Sequence, residues 1–344
     1  MSKTAVVILN WNGRHLLEEF LPVVIQNSSH SDVEIIVADN ASSDDSLAFI
    51  NDVFPFIRTI TLDKNYGFAG GYNKALKEID ADYFLLLNSD IAPEKGWLLP
   101  LISAMDSDEK LAACMPKIRA QKQPTMFEYA GASGGYIDLF GYPFCRGRIL
   151  NEIEEDKGQY NEELPVFWAT GAALMIRAKL YHEVGGLDES FFAHMEEIDL
   201  CWRIKNRGYD IKVCPKSEVL HVGGATLDMQ HPRKTFLNFR NNLVMLVKNL
   251  PSWKLFTILF LRMILDGVAA LHFLIKGEFR HFKAVFSAHM SFYSRLPQSI
   301  KKRRSLKPLR THNNHKEIYP QSIIWAFYLK KLRRFSELKH FHLK

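Results

Sequence analysis

The chain has 344 residues, 47% of them hydrophobic and 24% charged, enough to bury the core of one large domain or of one domain with a smaller appendage, which excludes a disordered chain. Its four cysteines, Cys114, Cys145, Cys201 and Cys214, show no CxxC spacing; this excludes a zinc ribbon and a disulfide framework and fits a reducing compartment. The net charge of +6 is regional: from Arg295 onward fourteen Lys and Arg stand against two acidic residues, a balance suited to anionic lipid headgroups or nucleic acid.

The opening MSKTAVVILNWNG lacks the charged, apolar and small-residue layout of a secretory signal, so the fold is expected to start at its first strand and the protein to stay in the cytosol. Residues 5–9 form a short apolar run ending in Asn-Trp-Asn-Gly, the pattern of a buried parallel strand running into a loop. Leu16, Leu17, Phe20, Leu21 and Val24 recur at helical spacing, and residues 33–38 predict a second strand that stops at Asp39-Asn40. Ser42 or Ser43 can cap the next helix, residues 57–62 read as a third strand, and residues 83–87 as a fourth closed by Asn88-Ser89-Asp90. Strands alternating with helices predict an α/β fold with a mostly parallel central sheet. Ligands in such sheets sit beyond the carboxyl ends of the strands, where this chain places Asn10/Asn12, Asp39/Asn40 and Asn88/Asp90.

Residues 120–165 mix Gly, Pro, aromatic and charged positions and predict loops or a small insertion near the site. Residues 254–275 are long enough to cross a bilayer, but Arg262 and Asp266 near the middle make a lone span costly. Phe256, Leu259, Phe260, Met263, Ile264 and Leu271 can share one face. An amphipathic helix in the membrane interface is therefore expected, aided by Lys301, Lys302, Arg303 and Arg304, with a core-packed helix pair as the alternative. Residues 1–245 are read as the catalytic domain and 246–344 as a basic, amphipathic helical region.

A nucleotide-sugar site needs a base pocket, cations for the diphosphate and a general base for the acceptor hydroxyl, and this sequence offers candidates for all three. Asp39, with Asn10 and Asn12 one strand over, can accept from a pyrimidine ring N–H or ribose hydroxyls; ordinary loop capping is the competing reading. The stretch from Asn65 through Gly67 and Phe68 to Asn73 places three glycines where backbone can approach a ligand, and it is neither a spaced GxGxxG nor a Walker A loop. Asn88 and Asp90, with His221 closing a later apolar run, can hold Mg2+ or Mn2+. Glu196, Glu197 and Asp199 crowd at a helix start with His194 and Arg203 nearby. Crowding raises one carboxyl toward the working pH while an arginine holds another ionised.

In order, VVILNWNG, VADNASSD, NYGFAGGYN, LLLNSD, WATGAALMIR, GGLDESFF, EEIDLCWR and HVGGAT resemble the family 2 glycosyltransferases with the GT-A nucleotide-sugar-binding fold, most closely the bacterial rhamnosyltransferase-like branch. The resemblance implies that Asp39 contacts the base, that Asn88 to Asp90 is the DXD-type metal motif with His221 as an additional ligand, and that Glu197 is the catalytic base. Glu196 is then its neighbour, and Asp199 and Arg203 its support. The segment Trp168 to Ala172, including Gly171, falls where the family builds the acceptor side, though Trp168 also suits a core. Asn88 replaces the first aspartate of DXD, which shifts coordination onto Asp90, and Glu197 stands where many relatives have aspartate.

The expected reaction is an inverting transfer from a dTDP- or UDP-sugar, dTDP-rhamnose foremost, to a lipid-linked saccharide acceptor of a cell-surface glycan. The protein is expected on the cytosolic face of the inner membrane, held peripherally by the anionic surface. Nucleic acid is not expected as a partner, because the basic tail lacks interleaved stacking aromatics. The alternative is a noncatalytic nucleotide-sugar-binding or scaffold protein on the same fold, for which Asn88 speaks.

Overall fold

The computed structural model describes residues 2–223, 231–338 and 341. The four apolar runs at the N-terminus become β1 (Thr4–Asn10), β2 (Val33–Asp39), β3 (Arg58–Thr61) and β4 (Tyr83–Leu87). They pair in parallel in the spatial order β3-β2-β1-β4. β4 is buried along its whole length because neighbouring strands and helices cover both its faces. Helix α1 (Arg14–Ser28) presents Leu17, Phe20, Leu21 and Val24 to the core at the spacing the sequence predicts. Register aligns Asn10 with Asp39 and Asp39 with Thr61, so the polar strand ends meet at one edge.

The sheet continues as a mixed one. β5 (Ile91–Pro93) and β6 (Leu111–Ala120) are followed by β7 (Ala173–Arg177), which runs antiparallel between β4 and β6. β8 (Asp210–His221) lies parallel to β6 and antiparallel to β5, pairing His221 with Ile91. The parallel share is thus the N-terminal half, plus the β6–β8 pair.

Residues 120–165 hold more structure than their sequence suggests. Gly135–Asp138, Pro143–Cys145, Arg148–Ile149 and Glu152–Ile153 form a second sheet, completed by Ile318–Tyr319 from the far end of the chain. Strands of two to four residues are too short for alternation to show in a sequence window.

Helices α2 (Gly67–Ala75) and α3 (Glu196–Lys205) flank the strand ends, and α4 (Pro232–Asn249), α5 (Ser252–Ile275) and α6 (Phe279–Leu306) close the C-terminal side. By length and composition α5 could cross a membrane, with 17% of its apolar window buried. Its three buried residues, Ile258, Arg262 and Asp266, recur every four positions and define its inner stripe. There Arg262 Nε donates to Asp266 Oδ1 at 2.7 Å, a second nitrogen donates to Asn242 Oδ1, and the guanidinium lies 3.8 Å from the Tyr142 ring centroid. Asp266 Oδ2 meets His289 of α6 at 3.2 Å. The expected shared face divides: Leu259 and Met263 pack inward, while Phe256, Phe260, Ile264 and Leu271 face outward beside Trp253 and Val268.

Asp266→Ala leaves a buried guanidinium without its carboxylate and is expected to cost about 3–5 kcal/mol, read as a lowered urea midpoint. Phe260→Ala on the outer face is expected to stay within about 0.5 kcal/mol of the parent.

Candidate active site

The site is built first from strand ends. Asp39 is fully buried at the end of β2; its Oδ1 accepts Asn10 Nδ2 at 3.0 Å and its Oδ2 accepts the Ser42 amide at 2.9 Å. Asn10 Oδ1 is buried without a partner, an acceptor that folding leaves open. Asn12, exposed at φ 50°, accepts the Ser43 amide at 2.7 Å through its side chain. These residues form a shelf at the carboxyl edge of β1 and β2.

Asn40 ties that edge to the glycine-rich turn. Its Nδ2 donates to Asn65 Oδ1 at 3.0 Å and to the Gly67 carbonyl at 3.1 Å, and its Oδ1 accepts the Tyr66 amide at 2.9 Å. Gly67 adopts φ +69°, which side chains of L residues rarely take, and starts α2. Asn73 at the other end of α2 donates to the Leu187 carbonyl at 2.8 Å and accepts from the Tyr181 hydroxyl at 2.7 Å. Asn40, Asn65 and Asn73 are therefore engaged in shaping the loops around the site.

Register between β5 and β8 puts His221 beside the Asn88-Ser89-Asp90 turn. Its Nε2 lies 3.1 Å from Asp90 Oδ1 and 3.5 Å from Asn88 Nδ2, and its Nδ1 lies 3.5 Å from Glu128 Oε2. Burial pulls the imidazole pKa down, but the flanking Asp90 and Glu128 carboxylates outweigh it and push it up to about 10. Among the described residues no group of three or more His, Cys, Asp or Glu side chains is disposed to share one ion. The available set is one carboxylate, one imidazole and one amide whose oxygen and nitrogen can exchange places. Residues 224–226, the end of the last motif segment, lie outside the described residues.

The third part is the start of α3. Phe192, His194 and Met195 all have positive φ, a run of left-handed backbone that non-glycine residues adopt at a cost. Helix α3 then presents Glu196, almost fully buried, and Glu197, partly buried. Burial raises Glu197 to about 7 and, with the Glu197 charge, raises Glu196 well above the usual carboxylate range. One oxygen of each is buried without a hydrogen bond. A Cβ on Gly171 would come within 3.1 Å of the Phe68 ring and 3.8 Å of Glu197 Cβ, so these three residues meet at one wall.

Asp199 and Arg203 have other work. Asp199 Oδ2 accepts Arg203 Nε at 2.9 Å and Lys248 Nζ at 2.7 Å, and its Oδ1 accepts Asn249 Nδ2 at 2.8 Å. The rest of the Arg203 guanidinium donates to the Val184 and Gly186 carbonyls at 2.6 and 2.7 Å. Trp168 is buried, its Nε1 donating to the Tyr136 carbonyl at 2.9 Å, and its ring fills the space that a Cβ on Gly135 would occupy.

Sequence reasoning passed over Glu128, Arg240 and Asn241. Asn241 Nδ2 donates to the Phe191, Ala193 and His194 carbonyls at 3.1, 2.8 and 2.8 Å, and Arg240 adds a donor to the Phe191 carbonyl at 2.8 Å. Together they hold the left-handed run. The available signal was a polar Arg-Asn-Asn stretch in a helix, all three residues of which are buried.

Residues 5–185 match the family model described as "Glycosyl transferase family 2". Among curated proteins, an N-acetylglucosaminyl-diphospho-decaprenol L-rhamnosyltransferase of Mycobacterium tuberculosis is 25% identical over 236 residues, covering 63% of this chain and 75% of that protein. The low-salt glycan biosynthesis hexosyltransferase Agl10 of Haloferax volcanii is 23% identical, covering 66% of this chain and 75% of its own length. Rhamnosyltransferase WbbL of Escherichia coli is 25% identical, covering 45% and 61%. Among solved structures, GalNAc-T7 with UDP, GalNAc and Mn2+ superposes with TM-score 0.59 at 13% identity, covering all of this chain and 58% of that one. Mannosyltransferase PcManGT of Pyrobaculum calidifontis, in complex with GDP-Man and Mn2+, gives 0.51 at 12% identity, covering 90% and 86%. These structural likenesses establish the GT-A fold.

Asn241→Ala removes the side-chain donor of the Ala193 and His194 carbonyls and one of the two donors of the Phe191 carbonyl, and is expected to cost about 1–3 kcal/mol. Hydrogen–deuterium exchange is expected to accelerate at residues 191–195 ahead of the sheet.

Proposed function

The chain belongs to glycosyl transferase family 2, and from that premise we propose that it catalyses inverting transfer of a hexose from a nucleoside diphosphate sugar to a lipid-linked saccharide. L-rhamnose from dTDP-rhamnose is the leading donor, a choice supported by the names of two relatives. The observation that carries the catalytic reading is Glu197, a carboxyl raised by burial with one oxygen unpartnered, at the wall it shares with Phe68 and Gly171.

In this reading Asp39, fixed by Asn10 and the Ser42 amide, keeps a free lone pair on each oxygen for a pyrimidine N–H or a ribose hydroxyl. Glu197 accepts the proton of the acceptor hydroxyl while that oxygen bonds to the anomeric carbon on the face opposite the diphosphate. The anomeric carbon–oxygen bond to phosphate breaks, and the nucleoside diphosphate leaves with the bonding pair. Asp90 and His221, with Asn88 turned to offer its oxygen, would hold Mg2+ or Mn2+. The bound cation supplies charge neutralisation at the leaving diphosphate.

Residues 1–245 are the catalytic part of this proposal and residues 246–344 its basic, amphipathic helical, membrane-associating part. The outward face of α5 would rest in the interface of an anionic membrane on the cytosolic side, its ionic pair turned into the protein. Support comes from the exposed Trp253, Phe256, Phe260 and Val268 beside Lys254 and Lys276.

Transfer from a panel of dTDP- and UDP-sugars with Mg2+ or Mn2+ tests the proposal. Glu197→Gln is expected to lower kcat about 10²–10⁴-fold with donor binding kept, and Asp90→Ala to weaken metal activation. Because the base works deprotonated, kcat/KM is expected to rise with pH through about 7 and to lose that limb in Glu197→Gln. Donor binding without turnover across the panel, acceptor supplied, would favour the noncatalytic reading.

Vesicles carrying an anionic lipid are expected to retain the protein better than neutral ones, and Phe256→Asp is expected to release it. Equal retention of parent and variant would count against the interfacial placement.

A further inference from the structure

Glu128 has no role in the transfer chemistry, yet strand pairing carries it to the Asp90 side of the site. The short strand Gln123–Phe127 turns back along β6, and β6 registers Ala120 with His221 of β8. The Glu128 amide then donates to the Ile118 carbonyl at 3.0 Å, and its side chain is buried against the imidazole. The two ring nitrogens of His221 address different carboxylates. Nε2 faces the Asn88 to Asp90 turn, 3.1 Å from Asp90 Oδ1. Nδ1 is buried without a hydrogen bond at normal distance, and the acceptor that faces it is Glu128 Oε2 at 3.5 Å. That oxygen is fixed in place, because it also accepts the Ala130 amide. Gly223 leaves room for the carboxylate: a Cβ there would come within 2.8 Å of Glu128 Oε1, and its φ of +69° suits glycine.

A neutral imidazole offers a lone pair from one nitrogen while the other keeps its proton. A buried N–H without an acceptor is costly, so the proton stays on the nitrogen that has an acceptor in front of it. Here that nitrogen is Nδ1, which leaves the Nε2 lone pair on the Asp90 side. Histidines that bind metals through one nitrogen are oriented in this way by a partner on the other, which fixes both the tautomer and the ring.

We propose that Glu128 is a positioning residue: it holds the Nδ1–H of His221 and so directs Nε2 toward the cation position beside Asp90. The consequence for the cation rests on the metal reading of Asp90 and His221; the hold on the ring does not.

The test is nuclear magnetic resonance of the full chain labelled with 15N-histidine, joined to Mn2+ binding read from the free-ion paramagnetic resonance signal. The His221 Nδ1–H resonance, identified by its absence in His221→Gln, is expected to be protected from solvent exchange in the parent and in Glu128→Gln, and to lose that protection in Glu128→Ala. The Gln variant keeps the contact because the Ala130 amide holds its side-chain oxygen at the Oε2 position. Added Mg2+ is expected to move the Nε2 resonance of the parent and to leave Nδ1–H in place. Mn2+ affinity is expected to fall about 10–100-fold in Glu128→Ala, and by a smaller factor in Glu128→Gln, which loses the charge and keeps the acceptor. Unchanged near-ultraviolet circular dichroism shows that the variants are folded, and the measurements on the parent stand whether or not Glu128→Ala folds. A freely exchanging Nδ1–H in the parent, a Mg2+ shift at Nδ1 in place of Nε2, or equal weakening of Mn2+ in the two Glu128 variants overturns the positioning role. Absent Mn2+ binding by a parent whose Nδ1–H is protected defeats the metal reading and leaves the hold on the ring standing.

Discussion

Lys248, 2% exposed, lies 2.7 Å from Asp199 and 2.5 Å from Asp188. Arg203 closes the cluster on the Asp199 side and Lys302 on the Asp188 side. Four charges drawn from α3, α4 and the turn before α3 are thus taken out of water together, with the partly exposed Lys302 of α6 at their edge. Each such ion costs several kcal/mol to desolvate, and the cost is met only where nearly every donor and acceptor has a partner. A cluster of this kind tolerates little displacement. It fixes α3 at its middle, and because two residues on a helix lie about 200° apart, the face opposite Asp199 carries Glu197. Arg240 and Asn241, about two turns before Lys248 on α4, hold the left-handed run that leads into the same helix. Glu197 is therefore positioned from behind by ions and from its N-terminal side by carbonyl clamps.

The parts of the fold that showed in the sequence are those whose cause is local. Continuous apolar runs gave β1, β2 and β4, and polar residues at their ends marked the edge where Asn10 and Asp39 pair. The carboxylates of Glu196 and Glu197 and the Asn88 to Asp90 turn stand out for the same reason, since each interrupts an apolar pattern. Asp199, Arg203, Asn73 and Trp168 carry similar chemistry in the sequence, yet in the structure their polar atoms are engaged by partners far along the chain, such as Leu187 for Asn73 and Lys248 for Asp199. Only tertiary contact distinguishes a carboxylate that is held from one that is open. The short strands of residues 135–153 were hidden for a different reason: part of their support is Ile318–Tyr319, which no local window contains.

Helix α5 resolves a choice that hydropathy leaves open. Its two charges argue against a span and its length against an ordinary surface helix. The structure satisfies both by placing Arg262 and Asp266 one turn apart on the inner stripe, where His289, Asn242 and the Tyr142 ring receive them. What remains outward is almost wholly apolar. The ionic pair is thus the means by which the exposed hydrophobic face is held in a fixed orientation to the catalytic sheet.

The electrostatics of the site also bear on the proposed cation. A helix N-terminus favours ionised carboxylates by at most ~2 kcal/mol, yet Glu197 rises to about 7, so burial outweighs the dipole at the first turn of α3. On the strand side Asp90 and Glu128 flank His221 and together stabilise its proton. A donor diphosphate would add negative charge to this carboxylate-rich set. With Arg203, Lys248 and Lys302 committed to the ion cluster, those basic residues cannot answer it. A divalent ion at Asp90, His221 and Asn88 would replace one proton with two positive charges where the deficit arises, and this balance is the physical reason for reading Asn88 as a tolerated change in a metal site.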